Sequence, residues 1–121
     1  MQSNNENPTP FVYRVKEVCK IIDGDTVDLL LDLGFGIFTK KRVRLWGIDT
    51  PEIRTRDLEE KRKGYAAKER LSQLINEASK ESLILHSNGI GKYGRVLGTI
   101  YNNNSNLNMK MVSEGHAEEY E

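Results

Sequence analysis

From Val27 to Leu33 the chain alternates: Val27, Leu29, Leu31 and Leu33 are interleaved with Asp28, Leu30 and Asp32. Period two fits a strand and not a helix, because successive strand side chains point to opposite faces. Upstream, Phe11, Tyr13 and Val15 alternate in the same way. The pattern breaks at Lys16-Glu17 and resumes through Val18 and Ile22, as expected of a strand carrying a bulge. Downstream, Gly34-Phe35-Gly36 supplies a turn into a third strand that ends near Trp46. The first three elements are expected to form an antiparallel meander.

The period then changes. Between Pro51 and Gly64, IRTRDLEEKRK shows no apolar period and reads as an exposed loop. Ala67, Leu71, Leu74, Ile75 and Ala78 recur at helical spacing and give one apolar stripe that must pack on the sheet. Leu83 to His86 and Val96 to Tyr101 read as two short strands joined by NGIGKYG. Past NNNSN, Leu107, Met111 and Val112 indicate a short helix, with Asn108 as its N-cap and Gly115 as its stop. The predicted class is therefore mainly β with helices (α+β). Five strands with a helix between the third and fourth, plus a short C-terminal helix, is the layout of a partly open Greek-key barrel, the OB-fold. That architecture often binds oligonucleotides and fixes no activity. Residues 1–10, polar with two prolines, read as a disordered lead-in, and residues 11–121 as one domain with no internal repeat.

Formal net charge is zero, which argues against a nucleic-acid partner until its distribution is considered. Residues 38–70 hold eleven Lys and Arg against six Asp and Glu, while both flanks are net acidic. Such a pattern suits an anionic ligand gripped locally better than a duplex gripped over a whole face. No apolar run approaches a bilayer span, and MQSNNENPTPF carries no basic or apolar leader, so no membrane partner and no export signal are expected in the chain as given. The single Cys19 excludes an internal disulfide and leaves the compartment open.

Three polar clusters stand out: Asp23-Gly24-Asp25-Thr26, the stretch RLWGIDTPE from Arg44 to Glu52, and Lys92-Tyr93-Gly94-Arg95. Each alone has an ordinary structural reading, as a hairpin turn, a proline-led loop and a solvated turn. Together they assemble a chemical set. Asp25, Asp49 and Glu52 are hard oxygen donors; Arg44 and Arg95 are permanent cations suited to bidentate contact with phosphate oxygens. Phosphodiester cleavage needs this mixture: a hard cation offsets phosphate charge, a carboxylate positions or deprotonates water, and arginines stabilise the charge that grows in the transition state. With no His or Cys cluster, oxygen ligation favours calcium or magnesium over zinc. His86 reads as a strand residue and His116 as a surface residue.

In order, IIDGDTV, VRLWGIDTPE, KYGRVLGTIY and a short helix ending in EGHA resemble the thermonuclease family, the staphylococcal nuclease-like OB-fold enzymes, over about Val18 to Gly115. The resemblance implies calcium, ahead of magnesium, held by Asp25, Asp49 and the backbone carbonyl of Thr50. It implies Glu52 as general base on an in-line water, Arg44 and Arg95 on the scissile phosphate, and Lys92 and Tyr93 on a neighbouring phosphate. Tyr120 matches an aromatic near the nucleotide base. The chain stops at Glu121, where the type member continues into a final helix. Arg54, Arg56 and the three cations at 61–63 offer contacts to a polymer backbone or stand as solvated loop charges.

The expected function is a calcium-dependent endonuclease acting on DNA, single strands preferred, and on RNA, with low sequence specificity and as a monomer. The rival from another class is a non-catalytic OB module that binds single-stranded nucleic acid or a protein.

Overall fold

A computed structural model describes residues 11–79 and 81–120. The proposed lead-in at residues 1–10 lies outside them. Five strands make the barrel: β1 (Val12–Asp23), β2 (Thr26–Asp32), β3 (Phe38–Leu45), β5 (Leu83–Ile90) and β6 (Val96–Asn102). Two-residue strands β4 (Ile48–Asp49), β7 (Ser105–Asn106) and β8 (Glu118–Glu119) trim its rim, and the helices are α1 (Leu58–Asn76) and α2 (Leu107–Ser113).

β1, β2 and β3 form the expected meander. β5 returns antiparallel to β1, β6 is antiparallel to β5, and β6 closes the barrel by running parallel to β3, with Val43 opposite Val96 and Arg44 opposite Leu97. The long first strand serves two neighbours because it bends. Its register slips at three places rather than one, leaving Lys16, Cys19 and Ile22 as extra residues against β2. Each slip adds local twist, which turns a sheet into a closed barrel.

Val27, Leu29, Val43, Leu45, Leu85 and Ile100 fill the interior and are at most 1% exposed. Helix α1 lays Ala67, Leu71, Leu74 and Ile75 on one end of this core. Full burial of a Leu such as Leu71 contributes about 1.5–3 kcal/mol.

Three boundaries differ from the sequence reading. Helix α1 starts at Leu58, so Gly64 lies inside a helix rather than at the end of a loop. Asp57 caps it, accepting from the backbone N–H of Glu59 at 3.0 Å and of Glu60 at 3.3 Å. The first turns face solvent, Leu58 included, so they carry no apolar period. Strand β5 runs on to Ile90 through a slip beyond Ser87, four residues past the expected end. The N-cap of α2 is Asn106, which accepts from Met109 N–H at 3.0 Å, and not Asn108. Asn108 is buried at 1% exposure and holds the fold together: its carbonyl accepts from Ile100 N–H, and its amide donates to Trp46 O and Gly98 O.

Candidate active site

The tight β1–β2 turn delivers Asp23 and Asp25 to one rim of the barrel. Thr26 pairs with Arg44 across β2 and β3, which brings the end of β3 beside that turn. The chain then passes Trp46-Gly47, where Asn108 holds the Trp46 carbonyl, and β4 presents Asp49 and Thr50. Pairing of β4 with β8 brings in the segment carrying Tyr120, whose N–H donates to Gly47 O at 3.0 Å.

Arg44 is the hub. Its guanidinium lies 3.2 Å from the Asp25 carboxylate and 3.1 Å from that of Asp49, and it donates to the carbonyls of Leu45 and Ile48. Tyr120 covers it, with the ring centroid 5.5 Å from the guanidinium carbon. Asp25 also accepts from the Thr50 N–H at 3.0 Å and from the Thr26 hydroxyl at 3.1 Å. Two carboxylates from separate loops thus converge on one cation, and the DGDT and DTPE segments are tied directly through Asp25 and Thr50.

The two turn aspartates differ. Burial pushes the Asp23 carboxyl up to about 6, helped by its hydrogen bond to Asp25 and by the Asp25 charge. Burial also works against the charge on Asp25, but its side-chain hydrogen bond with Asp23, the Arg44 charge, the Thr50 N–H and the Thr26 hydroxyl together keep Asp25 below the usual carboxylate range. The pair therefore divides into a carboxyl that takes up a proton first as pH falls and one that stays an anion. Sequence reasoning had left Asp23 as a turn residue, since its burial depends on how the turn packs.

The remaining site residues spread outward. Glu52 is exposed on the loop before α1, where its backbone N–H donates to the Glu60 carboxylate at 3.1 Å. The backbone of that loop lies hard against Gly64: a Cβ there would come within 2.8 Å of Glu52 O and 2.9 Å of Pro51 O. Arg95 stands just before β6, two residues from Leu97, the partner of Arg44. Its Nε is buried and has no hydrogen-bond partner. Lys92 and Tyr93 sit on an exposed helical turn at the tip between β5 and β6, Tyr93 in the left-handed region at φ 62°. A cleft of about 330 Å³ beside Asp49 and Thr50 is walled by Pro51, Glu60, Lys63 and residues 115–118. His116 is thus half-buried in a cleft wall rather than on open surface. Glu60 and Lys63, called loop residues from the sequence, gain their places through α1.

Among the described residues no group of three or more His, Cys, Asp and Glu side chains could by itself hold a metal ion. Asp25, Asp49 and the Thr50 carbonyl are oxygen donors only, and the two carboxylates already share one positive charge. That chemistry fits a hard cation whose shell is completed by main chain and water.

Residues 42–121 match the family described as staphylococcal nuclease homologue. The chain belongs to the staphylococcal nuclease family. Similar relatives of this nuclease-family chain include Protein ParB of Escherichia coli, 33% identical over 86% of this chain and 56% of that protein. Micrococcal nuclease of Shigella flexneri is 32% identical over 86% and 57%, and an uncharacterized endonuclease of Haemophilus influenzae 31% over 88% and 54%. The chain spans a little over half the length of these relatives. The family's barrel is the architecture found here, with its closing β3–β6 pair beside the Arg44 cluster.

Proposed function

We propose that the chain is a divalent-cation-dependent nuclease that hydrolyses phosphodiester bonds of DNA, with single strands preferred, and of RNA. The observation that carries this reading is Arg44 bridging Asp25 and Asp49 while the buried Nε of Arg95 has no acceptor. A phosphate dianion or diester meets both needs: it supplies the acceptor Arg95 lacks, and it replaces carboxylates on Arg44 once these turn to a cation. Names of two relatives, a micrococcal nuclease and an endonuclease, support the same class.

Asp25, Asp49 and the Thr50 carbonyl would hold the cation, with calcium preferred to magnesium because an irregular, partly main-chain donor set suits the larger ion. Bound there, it offsets negative charge on the attacked phosphate. Arg44 and Arg95 clamp the non-bridging oxygens and stabilise the charge that builds as the pentacoordinate transition state forms. Glu52, exposed beside the cleft and held by its N–H on Glu60, orients a water and takes its proton as the water attacks. Lys92 and Tyr93 reach a neighbouring phosphate from their turn, and Tyr120 backs Arg44 and offers a face to a base. A flexible strand enters this rim at little cost, whereas a stiff duplex must bend or fray.

The test is cleavage of a fluorescent single-stranded DNA by the wild type and by Glu52→Gln, each with calcium, magnesium or chelator. Calcium-dependent cleavage that falls by about 10²–10⁴ in the variant is expected. A folded wild type that binds the strand and cuts with neither metal would show the non-catalytic module instead.

A further inference from the structure

The tip of the β2–β3 hairpin is built against its own stability. Phe35 is fully exposed (101%) and has φ 59°, between Gly34 at φ 86° and Gly36 at φ 74°. An aromatic residue gains nothing from burial there, and the left-handed region disfavours any bulky L side chain. Leu33, Ile37 and Phe38 beside it are 42–55% exposed, so the tip is a contiguous apolar patch. Such a patch points to a ligand.

The strand leading from that tip ends in the active site. On β3, Phe38, Lys40, Arg42 and Arg44 occupy alternate positions on the outer face, the face opposite Val43 and Leu45 in the core. Alternate strand residues lie about 6.6–6.8 Å apart, so Phe38 to Arg44 spans roughly 20 Å. Across the register, Lys40 stands opposite Leu30 and Glu17, and Arg42 opposite Asp28 and Lys20. Arg42 spends its charge on Asp28, at 2.8 and 3.1 Å. Asp32 caps the turn through Gly34 N–H and faces Arg14 across the register. Lys20 and Lys40 form no salt bridge among the described residues, and nor does Lys16, whose ammonium lies 5.8 Å from the centre of the Phe38 ring. A bulge in β1 puts Lys16 there.

We propose that the outer face of β3 and the Phe35 tip form a holding platform for single-stranded nucleic acid, outside the cleaved bond. The platform rests on the nuclease reading for its polymer. Lys16, Lys20 and Lys40 meet successive phosphates of a strand that leaves Arg44, and Phe35 and Phe38 stack on its unpaired bases. Unpaired ammonium groups on β3 and, across β2, on β1, beside the arginine-bearing strand and next to exposed aromatic rings, are the combination that binds single strands with little regard to sequence. A basic, apolar patch also suits an anionic membrane, but Phe38 and Lys40 lie on the same strand and outer face as Arg44, with Lys20 opposite Arg42 across β2, and that continuity with the site favours the polymer.

The experiment measures binding of a fluorescein-labelled thymidylate 12-mer in chelator, so that nothing is cut, by wild type, Phe35→Asn and Lys40→Gln. Phe35→Asn is expected to bind about tenfold more weakly while melting no lower than wild type, because Asn tolerates the left-handed region better. Lys40→Gln is expected to lower the slope of log K against log salt by about 0.7. Wild-type affinity and slope in both variants would overturn the platform, as would a wild type that binds no oligonucleotide. It would equally fall if Phe35→Asn lost binding to phosphatidylserine vesicles and kept its hold on the 12-mer. Cutting is no part of the readout, so a protein that binds as predicted and never cleaves removes the nuclease reading alone.

Discussion

Asn108 shows how one side chain can decide whether a site exists. Its amide holds the carbonyls of Trp46, 62 residues away, and Gly98, while its oxygen takes the Ile100 N–H. The Trp46 carbonyl sits three residues before Asp49, so Asn108 fixes the turn that aims that carboxylate at Arg44. Asn108→Leu keeps the branched shape but leaves the Ile100 N–H and the Trp46 carbonyl without partners; each buried orphan costs about 1–3 kcal/mol. A loss of about 2–4 kcal/mol in urea unfolding is expected, and a loss below 1 kcal/mol would show that water replaces the amide. Arg44 is the second such residue. A lysine keeps the charge but loses the planar fork that spans Asp25 and Asp49. Arg44→Lys is expected to lower kcat/KM at least 10²-fold and to cost about 1–2 kcal/mol, since Asp25 and Arg44 are both largely buried. Asp25, Arg44, Asp49 and Thr50 were legible because their clusters are compact in sequence. Asn108 was misread as a cap because its partners belong to other elements, and Asn suits a cap and a buried bridge equally.

At the scale of elements, α1 governs where Glu52 stands. Its N-terminal half was hidden from sequence because its packed side meets the loop at Pro51 and Glu52 through Gly64 and the charged Glu60 and Lys63 rather than through apolar side chains, and the Asp57 cap was masked by a run of neighbouring charges. The apolar stripe from Ala67 onward was legible because it faces the core. Gly64 marks the join: helical propensity favours Ala there by about 1 kcal/mol, yet a Cβ would press on the backbone of Pro51 and Glu52 at 2.8–2.9 Å. Backbone cannot yield as a side-chain tip can, so the loop must move. Gly64→Ala is therefore expected to be net destabilising by about 1–2 kcal/mol and to lower kcat at least tenfold through displaced Glu52, with calcium affinity nearly unchanged. Equal loss of calcium binding would place the damage at Asp49 and Thr50 instead. Strands were legible where alternation was strict, as in β2, and too short where Asn88 and Gly89 interrupt it in β5.

For the whole molecule, order and period gave the barrel, while its closure by β3 and β6 is a parallel contact between segments some 50 residues apart and leaves no local trace. That contact is what sets Arg44 and Arg95 on one rim. The same rim gathers Asp23, Asp25 and Asp49, and Arg44 lies between the last two while Asp23 takes up a proton more readily than an ordinary carboxylate. A divalent ion that binds only where the β1–β2 turn and β4 meet must stabilise the folded chain, because the unfolded chain keeps these donors apart. Calcium at tenfold its Kd adds about 1.4 kcal/mol, which corresponds to roughly 4–8 °C in melting temperature for a domain of this size. The rise should continue logarithmically with calcium, vanish in chelator and be lost in Asp49→Asn, whose exposed side chain contributes little else to the fold. A melting temperature unmoved at millimolar calcium would mean that Arg44 outcompetes the ion for both carboxylates, and the cation site proposed on Asp25, Asp49 and Thr50 would fall.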